Sequence, residues 1–224
     1  YGSNPDFPFT PGYEASGVIT SIGEGVDEFD IGDRVLAMTG FGGYSEKISI
    51  PSNRVFKLPD SITFDQAAAI PVTYGTAYHI LFHLGRISPG DSVLIHHAAG
   101  GVGTAVAQLC KVAGASIVIG TASASKREFV ESLGVKFVDR ESEDFVKICK
   151  EMTDGKGVHH AIDPVGGSNL MRSYNSTRRG GKVYFFGASS AVKGDKRSLI
   201  AAVRMWFNTP KFDPIKMMSS NKAV

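Results

Sequence analysis

The stretch "VLIHHAAGGVGTAVAQLC", residues 93–110, joins a β-branched apolar run to a run with helical spacing through a cluster of glycines. An unbroken apolar run suits a strand covered on both faces. Glycines permit a tight turn and let another group approach the backbone closely. Gly100, Gly101 and Gly103 come close to the three-glycine turn of dinucleotide-binding units; with Ala98 in first place the pattern is A-x-x-G-x-G. Such a turn, between a strand and a helix, aims backbone N–H groups at a pyrophosphate. Ala99, Gly100, Gly101, Val102 and Gly103 are therefore candidate cofactor-binding residues. The competing reading is a packing turn without a ligand.

Downstream the pattern repeats. Strands are expected over 92–98, 116–122, 136–140, 159–165 and 182–189, with helices over 102–113, 124–133, 142–152 and 168–178. Alternation of this kind predicts an α/β fold, a doubly wound parallel sheet with helices on both faces. A sixth strand is expected beyond Val224. Upstream, short runs at 17–22, 34–38, 44–50 and 54–58 read as strands of a β-rich unit. Helical runs follow at 59–70, capped by Asp60 or Ser61, and at 73–85.

The end of the second parallel strand sets the cofactor. An acid there would bond a ribose 2′-hydroxyl. The chain instead has "GTASASKRE" (120–128): Thr121 is a cofactor-binding candidate, and Ser123, Ser125, Lys126 and Arg127 offer hydroxyls and cations. That set suits a 2′-phosphate and predicts NADPH over NADH. Arg140, ending the third strand, is a further candidate. Alternation along a strand sends His96 and His97 to opposite faces. No Cys, Asp or Glu lies near them at a ligand spacing, so no metal role is expected; His159 and His160 read the same way.

At 42% hydrophobic and 21% charged residues the chain is of ordinary globular composition. A net charge of +2 gives no reason to expect nucleic-acid binding. Two cysteines exclude a four-thiolate site and suit a reducing compartment, so a cytoplasmic location is expected. No apolar run is long enough to span a bilayer.

Three stretches, "FTPGYEASGVITSIGEGVDEFDIGDRV" (9–35), "AAAIPVTYGTAYHIL" (67–81) and "AAGGVGTAVAQL" (98–109), resemble the zinc-free medium-chain dehydrogenase/reductases, nearest the zeta-crystallin-like quinone oxidoreductases. "GTASASK" (120–126) and "GDKRSLIAAVRMWFN" (194–208) more closely resemble the vesicle amine transport protein branch. The resemblance implies a GroES-like catalytic domain, here partial, over 1–70 and a Rossmann domain over 71–224. NADPH would lie in the cleft between them, and segments of both domains would fall outside residues 1–224. Zinc-dependent relatives carry G-H-E where this chain has Gly12-Tyr13-Glu14, and no cysteine stands near Pro71-Val72-Thr73, so metal-free hydride transfer to a quinone or α,β-unsaturated carbonyl is implied. Thr73 and Thr76 would lie near the nicotinamide or its phosphate. Phe186, Gly187, Ala188 and Ser189, ending the fifth strand, would contact the nicotinamide side. Asp163 and the glycines of "DPVGG" would shape the same rim. Tyr1 would line the substrate cleft, and the proton would come from solvent or from Tyr1. A homodimer through an edge strand is also implied.

A second reading stays open: a non-catalytic NADPH-binding protein acting through partners or a membrane surface. Residues 178–222 hold ten Lys/Arg against two Asp/Glu, a surface suited to acidic lipid or an acidic protein.

Overall fold

The computed structural model describes residues 6–187, 189 and 207–224, together with the backbone of 192–193 and 196–197. It divides into two compact units, 1–76 and 77–224.

In the first unit, β1 (Glu14–Val18), β2 (Arg34–Met38) and β3 (Val55–Lys57) form an antiparallel sheet in that order. The run 44–50 is not a strand: no described neighbour offers it a ladder, and most of it is exposed. Arg34 ties the sheet to the next segment. Its guanidinium donates to the carbonyls of Pro59 (3.1 Å) and Ile62 (2.6 Å) and lies over the Phe64 ring.

The helix expected over 59–70 narrows to α1 (Phe64–Ala68). Its cap is neither Asp60 nor Ser61 but Thr63, because Pro59 to Ile62 close a turn first. Thr63 Oγ1 accepts from the Gln66 N–H while Gln66 Oε1 accepts from the Thr63 N–H, a reciprocal capping box. α2 (Pro71–Tyr78) follows. Glu14 anchors its start by accepting from the Val72 N–H at 2.9 Å. A π-helical turn, His79–Gly85, continues α2 and ends at Arg86 in the left-handed region.

The second unit is the predicted parallel sheet. Its strands are β4 (Ser92–His96), β5 (Ile117–Ala122), β6 (Lys136–Asp139), β7 (Val158–Asp163) and β8 (Thr177–Phe185), arranged β6-β5-β4-β7-β8. The order reverses at β4, so the C-terminal ends of β4 and its neighbours frame a crevice, where open α/β sheets bind ligands. β4 is buried throughout. The crossover helices are α3 (Gly101–Val112), α4 (Arg127–Ser132), α5 (Phe145–Glu151) and α6 (Ser168–Ser176). α5 and α6 close one face over Leu94, Ile119, Ala161 and Val183, with Phe145, Cys149 and Leu170 filling the layer. α3 and α4 cover the other.

β8 begins at Thr177, earlier than the pattern suggests. A last helix, α7 (Pro214–Ser220), returns the chain to it. Ala223 then bridges Lys182 in parallel, exchanging bonds with Gly181 and Val183. This isolated bridge sets Ala223 beside the outer edge of β8.

Candidate functional site

At the end of β4 the chain reverses sharply. His97 adopts a left-handed conformation (φ 53°), and its carbonyl accepts from the Gly100 N–H at 2.8 Å. Gly100 caps α3 with no side-chain bond. The N–H groups of Gly101, Val102 and Gly103 have no carbonyl within the helix to reach, so α3 opens with donors and a positive dipole end. Gly103 has to be glycine, since a Cβ there would meet Ala98 Cα at 2.8 Å and run into the His97 carbonyl oxygen. The Ala98 N–H donates to the Thr121 carbonyl, sewing this turn to β5.

A cavity of about 360 Å³ lies at these strand ends. The strands and their exits contribute His96, His97, Thr121 and Arg140; the helices contribute Phe145, Asn169 and Arg172; Val165 and Ser189 complete the rim. Arg172 is held by Asp144 at 3.0 Å and lies 4.3 Å over the Phe145 ring. That pairing holds the Asp144 carboxyl below its ordinary range. Sequence reasoning missed Asn169 and Arg172. The signal was their spacing with Ser173, at i, i+3 and i+4, which puts all three on one face of α6.

Below the cavity runs a buried polar chain. His96 Nδ1 lies 2.9 Å from Thr121 Oγ1 and its Nε2 3.0 Å from Ser173 Oγ. Ser173 Oγ donates to Asp163 Oδ2 at 2.6 Å. Asp163 also accepts from the N–H groups of Val165 and Gly166 and from Asn169 Nδ2. Burial lowers the His96 pKa to about 4, so the ring is neutral near pH 7. Burial lowers the His97 pKa too, with Arg140 acting in the same direction.

Of the expected cofactor residues, Gly100, Gly101, Val102 and Gly103 form the start of α3, with Ala99 in the turn before it. Thr121 and Arg140 reach the cavity. Ser123 precedes a 3-10 turn, Ala124–Lys126, and sits 3.3 Å from Ser125, so Ser123 and Lys126 flank the exit of β5. Arg127 is engaged elsewhere, with Glu131 and over the Phe137 ring. Phe186 donates its N–H to the Asp163 carbonyl and Ser189 to that of Pro164. A Cβ on Gly187 would meet the Pro164 oxygen at 2.9 Å, so this segment packs closely on the turn after β7. Thr73 and Thr76 belong to the first unit; the Thr73 hydroxyl donates to the Ala69 carbonyl in its own helix. Tyr1 and Ala188 lie outside the described residues, as does most of 202–208.

Gly12-Tyr13-Glu14 stands where zinc-dependent relatives carry G-H-E. Tyr13 packs against Phe41 at 5.2 Å, and Glu14 is occupied by the Val72 N–H. Among the described residues, no group of three or more His, Cys, Asp or Glu could hold an ion.

The second histidine pair lies at the start of β7. His160 Nε2 is 3.1 Å from Asp91 and its Nδ1 3.0 Å from Tyr184 OH, while His159 contacts Asp91, Ser92 and Arg178. It ties the entries of β4, β7 and β8 together, away from the cavity.

Two family models match: the alcohol dehydrogenase GroES-like domain over residues 1–60 and the zinc-binding dehydrogenase model over 101–212. The human synaptic vesicle membrane protein VAT-1 homolog is 41% identical over 225 residues, a match covering all of this chain and 57% of that protein. Among solved structures, the Escherichia coli quinone oxidoreductase complexed with NADPH superposes with a TM-score of 0.82 at 30% identity, covering 99% of this chain and 64% of that one. The Pseudomonas syringae pv. Tomato DC3000 quinone oxidoreductase gives 0.81 at 32%, covering 100% and 65%. The glycine turn, the parallel sheet and these matches agree: the chain belongs to the medium-chain dehydrogenase/reductase family, in the branch that holds the quinone oxidoreductases and the VAT-1 proteins.

Proposed function

We propose that this chain carries the NADPH-binding part of an oxidoreductase that transfers a hydride to a quinone or an α,β-unsaturated carbonyl without zinc. The observation that carries the reading is the α3 N-terminus, capped by Gly100 without a side-chain bond and held by Gly103 against Ala98 at the rim of the sheet. NADPH would supply the hydride when bound there. The protein's share is positioning. The first N–H groups of α3 would take the pyrophosphate. Ser123 and Lys126 would take the 2′-phosphate, since no carboxylate ends β5 to repel it. The close packing of Gly187 on Pro164 would hold the segment at the nicotinamide side. The packing of Tyr13 on Phe41 and the bond from the Val72 N–H to Glu14 support a reaction without a Lewis acid. A cytoplasmic homodimer is part of the proposal.

One observation favours a second reading, a partner- or membrane-binding role: the VAT-1 relatives are named as synaptic vesicle membrane proteins. No helix among the described residues is long and apolar enough to cross a membrane. Within the basic stretch, Arg178, Lys182 and Lys222 are spent inside the fold, on His159 and on the carbonyls of Leu84 and Tyr174.

Calorimetric titration with NADPH and NADH, followed by turnover with a quinone before and after chelation, tests the proposal. NADPH binding at least tenfold tighter than NADH, with turnover that survives chelation, is the expected result. Preference for NADH removes the 2′-phosphate assignment. Binding without turnover on any quinone or enone favours the second reading.

A further inference from the structure

The polar chain under the cavity has a fixed direction. Ser173 Oγ carries one proton and gives it to Asp163. Toward His96 it can therefore only accept, so His96 Nε2 must carry a proton. A neutral ring then has a bare Nδ1, which takes the Thr121 hydroxyl proton. Each hydrogen is placed by its neighbour, from the end of β5 through β4 to α6 and the turn after β7.

We infer that His96 is a positioning residue, a neutral Nε2–H imidazole that sets the separation between the end of β5 and the Asp163 turn, the two sides of the cavity. Asp163 is fully buried and has four donors, two of them the Val165 and Gly166 N–H groups that give the turn its shape. Ser173 and His96 carry that constraint across to Thr121. The Phe145 ring stands edge-on to the imidazole at 4.6 Å and limits its rotation. The charged and titratable groups acting on the ring are Asp163, His97 and Arg172. One consequence concerns ligand chemistry. Thr121 has given its proton to His96, so toward the cavity it can only accept. A ribose hydroxyl or an amino group suits it, whereas a phosphate oxygen does not.

The binding part of this inference rests on the NADPH reading; the proton placement does not. In the ¹⁵N-labelled full chain, two-bond ¹H–¹⁵N correlation of the imidazoles is expected to show His96 as the Nε2–H tautomer, unchanged from pH 8 to 5. An Nδ1–H tautomer, or protonation near pH 6.5, overturns the inference whether or not NADPH binds. His96→Gln can place an amide N–H near the Nε2 position and keep the Ser173 link; His96→Asn is too short to do so. With fold checked by circular dichroism, H96Q is expected to keep NADPH affinity within about threefold while H96N loses about tenfold. Equal affinities in the two variants overturn the positioning role. Ser173→Ala keeps the ring but cuts its link to Asp163, and a loss of about tenfold is expected there too. Unchanged affinity in S173A also overturns it. If the wild-type chain binds no NADPH, the cofactor reading fails, and the tautomer measurement alone decides the proton placement.

Discussion

Gly103 couples two demands at one backbone position: β4 must turn tightly, and α3 must begin hard against that turn. Neither tolerates a Cβ, which would collide with Ala98 and the His97 carbonyl. Gly103→Ala is therefore expected to cost about 1–3 kcal/mol of stability, as overpacking does. It should also weaken NADPH binding at least tenfold, because the start of α3 must shift to relieve the contact. Thermal denaturation and a fluorescence titration measure the two effects, and a variant as stable and as tight as the parent refutes the argument. This residue is legible in the sequence because its requirement is local: a glycine between a strand and a helix announces itself. His96 is legible only as a packed histidine. Its partners Thr121 and Ser173 lie 25 and 77 residues away, and nothing in the spacing of the chain connects them. Asp91, which gathers His159 and His160, is hidden for the same reason.

Among elements, the parallel strands and their helices are readable, since each carries its own period and its own punctuation. The run 44–50 misleads because a short run with isoleucines and a tyrosine is only half of a strand; the other half is a neighbour to pair with. The start of α1 is displaced toward the C-terminus from the expected caps. Asp60 and Ser61 are good caps by type, but the turn closed by Ile62 on Pro59 delays the helix until Thr63. Thr63→Ala should then lower stability by about 1 kcal/mol, while Ser61→Ala should change it little. Chemical denaturation of both variants distinguishes the two caps, and a larger loss for Ser61→Ala would contradict the observed box.

For the whole molecule, burial is the main influence lowering the pKa of His96, His97, His159 and His160. In the unfolded chain each would titrate near its ordinary value of 6.5. Between that value and the lower folded one, the unfolded state binds more protons, so stability falls as pH falls. His96, whose pKa falls to about 4, contributes on the order of 1 kcal/mol per pH unit across that window. The melting temperature should drop by roughly 3 °C or more from pH 7.5 to 5.5, and a flat or rising profile would contradict the buried neutral histidines. The outermost pairing of the sheet has a consequence of another kind. Ala223 meets Lys182 through a single bridge, although the two are separated by the whole of α7 and the segment before it. Such a contact closes a long loop for few bonds. It should be among the first to peel away in native-state fluctuations. Amide hydrogens at Ala223 and Val183, which bond across it, should exchange with deuterium well before those of Leu94 and Ile95 in the middle of the sheet.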